Sequence, residues 1–411
     1  MPSRAPVVAA GLVLLLAACS STSGTAAGPS PAGSSATPSA PPTAAASPSP
    51  SPSPSPSPTP SPSPPASPTP SPTPTAAQLS ADQLAGRRVV YSYPGLTPPE
   101  SLLRVIREGR AAGVVFFGEN VSSSAQLKAA VDQLRAAQRQ SPVKEPLLLM
   151  TDQEGGLIKR LPGAPVPSAK EIGHSAAPSA AAATAGTGAG KNLTGLGLNA
   201  NLAPVLDVYY TPGNFIDSKQ RSYSSNPRTV ATLGSAFITA QQKAGAAATA
   251  KHFPGLGSAP AGQDTDAGPV TLPVPLTKLR TVDEVPFQAA VTAGVQMVML
   301  SWAVYPALDP QRPAGLSSAA VQELRGRLGY RGVTVTDAIE AGALKPFGTT
   351  GQRSVAAAAA GMDLLLCSAR DTAQGQQAAD ALAAALDAGT LDRAEFTAAA
   401  DRVTALRAAL H

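Results

Sequence analysis

Cysteine, histidine and aromatic residues are scarce in this sequence of 411 residues. Its two cysteines cannot supply the network of disulfide bonds that stabilises small secreted domains. Since no cluster of cysteines and histidines has the spacing of a metal site, we expect no metal ion and no cofactor. The net charge of +5 is small and both signs are interspersed, which argues against a nucleic-acid partner.

Charge is almost missing from the first 77 residues, where Arg4 is the single charged side chain. The apolar run at 7–18 is too short to cross a membrane and is typical of an export signal. Its end, Leu16 to Cys19, resembles the bacterial lipoprotein signal, in which the cysteine is acylated. We therefore expect a signal peptide over residues 1–18, lipidation of Cys19 and attachment to the outer face of the cytoplasmic membrane. An ordinary signal peptide with an incidental cysteine is the alternative.

Residues 19–77 contain no charge and no aromatic side chain, and 21 of the 43 prolines fall within residues 1–77. Such a segment cannot bury enough apolar surface to offset the conformational entropy lost on folding, so it is predicted to be disordered. Alternating prolines favour polyproline II, which at about 3.1 Å per residue gives a reach of roughly 180 Å. We interpret the segment as a Ser/Pro-rich linker between the membrane and a folded domain.

The remaining residues, 78–411, are numerous enough to form one large domain. Short apolar runs recur along them, as expected for strands that are buried on both faces of a parallel sheet. Eight runs are predicted strands: Arg88–Tyr91, Gly113–Phe117, Pro146–Thr151, Asn199–Ala203, Ala248–His252, Gln296–Ser301, Gly332–Thr336 and Met362–Cys367.

Stretches of helical spacing lie between these runs. They are Ser101–Gly113, Ser123–Arg139, Arg228–Ala244, Asp283–Gly294 and Ser318–Leu328, with predicted N-caps at Ser101, Ser123, Asp283 and Ser318. Eight strands that alternate with helices predict an α/β fold, a (β/α)8 TIM barrel. An open doubly wound sheet is the alternative, but no GxGxxG loop supports it.

Polar side chains stand where several predicted strands end, and the carboxyl ends of barrel strands are where active sites form. These side chains are Asp152, Asn201, Asp207, Lys251, His252, Ser301, Trp302 and Asp337. Because different strands supply them, we interpret them as parts of a site rather than as packing residues.

Six segments resemble glycoside hydrolase family 3. Residues 151–156 read TDQEGG with Arg160 following, and residues 251–257 read KHFPGLG, similar to the signature of the β-N-acetylhexosaminidase branch. The same branch matches, in the same order, at 203–208, 221–223, 305–309 and 330–337. The resemblance covers about residues 80–410. The sequence shows no match to the extra C-terminal domain of the family's β-glucosidases and β-xylosidases.

The resemblance implies a role for each matched residue. Asp337 corresponds to the nucleophile that forms the glycosyl-enzyme intermediate, and a strand end would hold that carboxylate rigidly beneath the anomeric carbon. Substrate contacts are implied for Asp152, Arg160, Arg221, Lys251 and His252, which supply charge-assisted hydrogen bonds to sugar hydroxyls and the N-acetyl group.

One loop departs from the family pattern. The branch places an acid/base histidine after KHFPGxG, in D-S-H or D-T-H, whereas residues 262–266 read GQDTD here and put Asp266 in its place. The three histidines, at 174, 252 and 411, leave none for this loop. Three interpretations are open. Asp264 or Asp266 serves as the acid, with a pKa raised by burial; another carboxylate serves as the acid instead; or the hydrolytic activity is weakened. We assign the acid/base to Asp266.

Four other residues have simpler interpretations. Glu154 is predicted to make structural hydrogen bonds, Cys367 to be buried and His174 to lie in a loop. Trp302 either stacks on a sugar or fills the barrel mouth.

These patterns predict an exported, membrane-attached, retaining β-N-acetylhexosaminidase that releases terminal N-acetylglucosamine from peptidoglycan fragments or related glycans. The peptidoglycan assignment follows from the family and the expected location, not from any residue. The alternatives are a glycan-binding lipoprotein of weak activity, and a β-glucosidase or β-xylosidase. The expected partners are the carbohydrate substrate and the membrane, and the expected oligomeric state is a monomer.

We predict that Cys19→Ala releases the protein from the membrane fraction and leaves its catalytic activity unchanged, because acyl chains on this residue are the predicted anchor. Cell fractionation followed by salt extraction checks this, with Ser23→Ala as the matched control that stays membrane-bound. A C19A protein that remains with membranes and resists salt contradicts the lipid anchor.

Overall fold

The computed structural model describes residues 79–410. The predicted signal peptide, Cys19, the linker and His411 lie outside the described residues. Within 79–410 the strands are β1 Val89–Tyr91, β2 Gly113–Phe116, β3 Leu148–Thr151, β4 Gln153–Gly155, β5 Ile158–Lys159, β6 Ala200–Asn201, β7 Ala247–Phe253, β8 Met297–Leu300, β9 Val333–Ala338 and β10 Leu364–Leu366.

Eight of these strands form a closed parallel barrel in the order β1, β2, β3, β6, β7, β8, β9, β10, and β10 pairs with β1 again. Since the sheet closes on itself, the prediction of a (β/α)8 barrel is confirmed and the open-sheet alternative is wrong. Each of the eight predicted strands overlaps an observed one. The remaining pair, β4 and β5, forms a small antiparallel hairpin directly after β3.

Helices surround the barrel. Their bounds are α1 Ala81–Gly86, α2 Glu100–Arg107, α3 Ser124–Gln140, α4 Ala169–Gly173, α5 Pro178–Gly195, α6 Phe215–Ser218, α7 Pro227–Lys243, α8 Leu276–Lys278, α9 Val285–Thr292, α10 Ser318–Gln322, α11 Thr350–Ala360, α12 Thr372–Asp387 and α13 Arg393–Ala408. The five predicted helical segments correspond to α2, α3, α7, α9 and α10.

One of the four predicted N-caps is confirmed. The side chain of Ser123 accepts a hydrogen bond from the backbone N–H of Gln126 at the start of α3. Ser317, not Ser318, caps α10, and Ser101 lies inside α2. Asp283 ends a π-helical turn before α9, and Glu284 stands at the N-cap position, while the Asp283 carboxylate accepts a hydrogen bond from the hydroxyl of Tyr210.

The barrel interior is filled by apolar side chains that the strands direct inward, such as Val90, Met150, Met297, Val335 and Leu364. A second apolar layer lies between the barrel and the helices, and Cys367 is buried in it, as predicted. All seven residues of β7 are buried, as expected for a strand covered on both faces. Because the interior is packed, space for a ligand remains at the end of the barrel.

Within residues 79–410, every helix falls short of the length and apolar character needed to span a membrane.

Candidate active site

A cavity of about 500 Å³ opens at the carboxyl ends of the barrel strands. Its floor is made of apolar side chains from the barrel interior, namely Val115, Leu202, Met299 and Leu366. All seven residues assigned to the site from the sequence line it: Asp152, Arg160, Arg221, Lys251, His252, Asp266 and Asp337.

The fold brings these side chains together from distant parts of the chain. Asp152 lies between β3 and the hairpin, and Arg160 directly follows the hairpin. Arg221 lies in the loop between α6 and α7, Lys251 and His252 belong to β7, and Asp337 belongs to β9. A (β/α)8 barrel needs this arrangement, because its parallel strands all end at the same face.

Two cations and two carboxylates form a network at one wall of the cavity. The ammonium of Lys251 lies 2.8 Å from carboxylate oxygens of both Asp152 and Glu154. The guanidinium of Arg221 donates two hydrogen bonds to Glu154, at 3.0 and 2.8 Å. Arg160 is more loosely placed, with its Nε 3.9 Å from Asp152. Glu154 therefore has the structural hydrogen-bonding role that the sequence predicted.

The network determines the charge state of its members. Burial alone would raise the pKa of Glu154, but the charges and hydrogen bonds of Arg221 and Lys251 outweigh burial and lower this pKa to about 2. Burial would likewise lower the pKa of Lys251, yet Asp152 and Glu154 raise it above its ordinary value. This wall of the cavity consequently stays ionised and offers fixed hydrogen-bond donors and acceptors.

A second carboxylate orients His252. The Nδ1–H of His252 donates to Asp207 at 2.8 Å, and the other Asp207 oxygen accepts from the backbone N–H groups of His252 and Leu256. Since Nδ1 is engaged, Nε2 is the ring nitrogen left for other partners, and it lies 3.5 Å from the guanidinium of Arg221. Asp207 thereby fixes the orientation of the histidine ring.

The loop at 262–268 brings Asp266 to the cavity. Asp264 lies beside it, and its carboxylate accepts a hydrogen bond from the backbone N–H of Asp266 at 2.9 Å. Asp264 therefore holds the turn and also lines the cavity, so both carboxyl groups share the cavity with Asp337.

The protonation behaviour of Asp266 differs from that of Glu154. The walls of the cavity restrict its hydration, and the negative charges of Asp337 and Asp264 oppose a further charge. Together they raise the pKa of Asp266 to about 6, although His252 and Arg221 oppose the rise. A carboxyl group with this pKa can donate a proton near neutral pH and accept it back, which general acid–base catalysis requires.

Not every polar residue at a strand end belongs to the cavity. Asn201 binds the backbone of Gln153 and the side chain of Gln241. The indole of Trp302 is 1% exposed and donates to the carbonyl of Ala338, so it fills the barrel mouth. His174 is exposed and binds the carbonyl of Lys170, as predicted for a loop residue.

Other residues of the cavity wall were not predicted: Phe117, Lys219, Glu340, Ser368 and Arg370. The carboxylate of Glu340 accepts hydrogen bonds from Ser368 and from the side chain of Gln374. Their closeness to strand ends could have identified three of them from the sequence. Phe117 directly follows β2, and Glu340 and Arg370 follow β9 and β10 within a few residues. Among residues 79–410, no three histidine, cysteine or acidic side chains are grouped so that they could hold a metal ion.

A closed (β/α)8 barrel whose mouth holds several carboxylates and hydrogen-bonding cations defines an enzyme of the glycosidase class, which acts on O-glycosyl bonds. The model of the glycosyl hydrolase family 3 N-terminal domain matches residues 77–406. The chain therefore belongs to glycosyl hydrolase family 3.

Curated relatives carry names that agree with this family. A protein of Arthroderma benhamiae, named "Uncharacterized secreted glycosyl hydrolase", is 49% identical over 329 residues, which are 79% of this chain and 93% of that protein. The β-hexosaminidase of Stenotrophomonas maltophilia is 35% identical over 269 residues, which are 64% of this chain and 77% of the relative.

Solved structures show the same similarity. The family 3 β-N-acetylglucosaminidase of Paenibacillus sp. superposes with a TM-score of 0.75 at 35% identity, over 80% of this chain and 63% of the other. The β-N-acetylhexosaminidase of Beutenbergia cavernae superposes with a TM-score of 0.73 at 33% identity, over 80% of this chain and 99% of the other.

We predict that Glu154→Gln lowers the free energy of unfolding by about 3 kcal/mol at pH 7, because it leaves Lys251 and Arg221 buried with one charged partner fewer. The folded-state pKa of Glu154 is depressed, so its stabilising contribution is present above pH 4.5 and is lost as the pH falls towards about 2. The difference between wild type and variant should therefore shrink across that range. Urea denaturation at several pH values measures it.

Glu108→Gln is the matched control for this variant. Glu108 pairs with exposed Arg104 at 4.0 Å on the protein surface. Its loss should change the free energy of unfolding by less than about 0.5 kcal/mol. Equal destabilisation by both substitutions contradicts the role given to Glu154.

Proposed function

We propose that this protein is a retaining β-N-acetylhexosaminidase in which Asp337 is the nucleophile and Asp266 the acid/base. The observation that carries the proposal is the pair itself: both side chains line one cavity, and the charge of Asp337 contributes to raising the pKa of Asp266 to about 6. A two-step glycosidase needs one carboxylate that attacks the anomeric carbon and a second carboxyl group that exchanges a proton.

In the first step, the Asp337 carboxylate attacks the anomeric carbon while protonated Asp266 donates its proton to the departing glycosidic oxygen. This forms a covalent glycosyl-enzyme and releases the leaving group. In the second step, Asp266, now ionised, removes a proton from water, and the water oxygen displaces Asp337 from the anomeric carbon. The proton returns to Asp266, so the cycle closes without a cofactor.

The remaining assigned residues hold the sugar. Lys251 and Arg221 are fixed by Glu154 and Asp152, so their remaining N–H groups are available to sugar hydroxyls and to the N-acetyl carbonyl. Asp152 accepts from hydroxyls, and Arg160, held loosely, adapts to the ligand. His252, oriented by Asp207, contacts the sugar through Nε2.

The substrate assignment rests on the relatives. Proteins named β-hexosaminidase and β-N-acetylglucosaminidase share the family and the fold with this chain. We infer that terminal N-acetylglucosamine is removed from peptidoglycan fragments or related glycans. We further infer an exported lipoprotein with a signal peptide at 1–18, lipidated Cys19, a linker at 19–77 and the catalytic domain at 78–411. The secreted relative of Arthroderma benhamiae agrees with export.

Hydrolysis of three aryl glycosides by the purified protein tests the substrate class and the nucleophile together. The β-N-acetylglucosaminide should react faster than the β-glucoside and the β-xyloside. Asp337→Asn should reduce turnover of all three by roughly 10⁴-fold or more, since every leaving group needs the nucleophile. The same variant should lower the pKa of Asp266, measured by carbon NMR titration, because it removes one of the charges that raise it.

An Asp337→Asn protein that keeps substantial activity removes Asp337 from this role. A wild-type protein that hydrolyses none of the three glycosides but binds peptidoglycan fragments favours the glycan-binding alternative instead.

Asp266→Asn should act selectively. Sugar leaving groups need a proton and should depart roughly 10²–10⁴-fold more slowly, whereas dinitrophenolate leaves without one. On sugar substrates, wild-type kcat/KM should fall as the pH rises through about 6, because Asp266 then loses the proton that it must donate. The variant should lack this decline. Azide, which needs no base, should speed its turnover and yield a glycosyl azide.

Asp264→Asn is the matched control for that variant, because asparagine retains the side-chain oxygen that accepts from the backbone of Asp266. It should slow hydrolysis of sugar substrates less than Asp266→Asn does, and it should lower the pKa of Asp266 because the charge of Asp264 is lost. Equal losses on activated and unactivated substrates, without azide rescue, would contradict the assignment of Asp266.

A further inference from the structure

The loop that carries Asp266 is attached to the turn that follows β9. The backbone N–H of Gly342 donates to the carbonyl of Asp266 at 2.9 Å, and the N–H of Ala343 donates to the carbonyl of Thr265 at 2.9 Å. Both donors lie at the start of the 3₁₀ helix Gly342–Phe347, where backbone N–H groups have no partner inside the helix. We name these two hydrogen bonds the latch.

Among the described residues, the latch supplies the backbone hydrogen bonds that join residues 262–268 to the barrel. The other backbone hydrogen bonds of this loop are local: Gln263 donates to Pro260, and Ala267 and Gly268 donate to Asp264. Local bonds preserve the shape of the loop but do not determine where it stands over the cavity. The latch therefore decides the position of Asp266 relative to the barrel.

Glycine is required at position 342 for this contact. A Cβ placed there would lie 2.3 Å from the carbonyl oxygen of Ala267 and 2.7 Å from that of Asp266. Ordinary contact distances are about 3.5 Å or more, so the loop backbone would have to retreat by roughly 1 Å. No flexible side chain can give way instead, since the atoms it meets are backbone atoms.

We propose that Gly342 is a positioning residue for catalysis. It holds Asp266 at the distance from the glycosidic oxygen that proton transfer requires. The inference rests on the proposed function, because it takes Asp266 as the acid/base. The physical basis is that one short stretch of backbone positions both groups. β9 carries Asp337, and the turn directly after β9 carries the latch that holds Asp266.

Gly342→Ala tests the proposal in the full-length protein. A displacement of about 1 Å should slow hydrolysis of sugar leaving groups by about 10²-fold, because proton transfer depends steeply on geometry. The kcat/KM of the dinitrophenyl substrate, which reports formation of the glycosyl-enzyme, should change by less than about threefold, since this leaving group needs no acid. Gly268→Ala is the matched control, because a Cβ at that position of the same loop meets no atom within 4 Å, and it should resemble wild type.

A double-mutant cycle separates positioning from general damage. If Gly342 acts through Asp266, Gly342→Ala should cause no further loss in a protein that already carries Asp266→Asn. An additive loss, or equal losses on both substrates, overturns the proposal. If D266N itself shows no leaving-group selectivity, the assignment of Asp266 fails. A selective D266N beside an unselective G342A refutes the latch alone.

Ala343→Pro provides a second variant in case G342A folds poorly. Proline removes the N–H that donates to Thr265 and suits the first turn of a helix. It should show the same selectivity for sugar leaving groups, and an unselective effect overturns the proposal. Circular dichroism and the melting temperature establish that each variant is folded.

Discussion

The ion network around Glu154 is the interaction on which the arrangement of the site depends. Burying four charged groups is costly unless each has partners, and here Glu154 binds Arg221 and Lys251 while Asp152 binds Lys251. The partners come from the hairpin, from β7 and from the loop between α6 and α7. The network therefore joins three separate segments at one wall of the cavity and fixes the donors that face a substrate.

Two carboxyl groups at this site have opposite surroundings. Glu154 lies between two cations and has a pKa of about 2, while burial and the charges of Asp337 and Asp264 raise the pKa of Asp266 to about 6. Residue type does not explain the difference in pKa, because both side chains are carboxylic acids whose ordinary pKa values are similar. The difference comes from their surroundings, which suit Glu154 to permanent charge and Asp266 to proton transfer.

The departure from the family pattern at Asp266 has a physical interpretation. An unperturbed histidine titrates near pH 6.5, and the surroundings of Asp266 move an aspartate into almost the same range. Under the proposed assignment, Asp266 supplies a group that exchanges its proton near neutral pH, as a histidine at this position would. The latch at Gly342 supports this interpretation, because such a group is useful only at a defined distance from the bond that it protonates.

The sequence by itself determined the barrel, since periodic apolar runs report strands that are buried on both faces. Its ordered motifs identified the family and seven of the residues that line the cavity. Other features were decided only by the tertiary structure. Arg221 and Glu154 are 67 residues apart in the chain, and no local pattern pairs them. The charges of Asp337 and Asp264 act on Asp266 only because the fold places these three carboxyl groups around one cavity. These features depend on groups that only the folded chain brings within a few ångströms of one another. They are the ion pairs, the shifted pKa values and the close contact at Gly342.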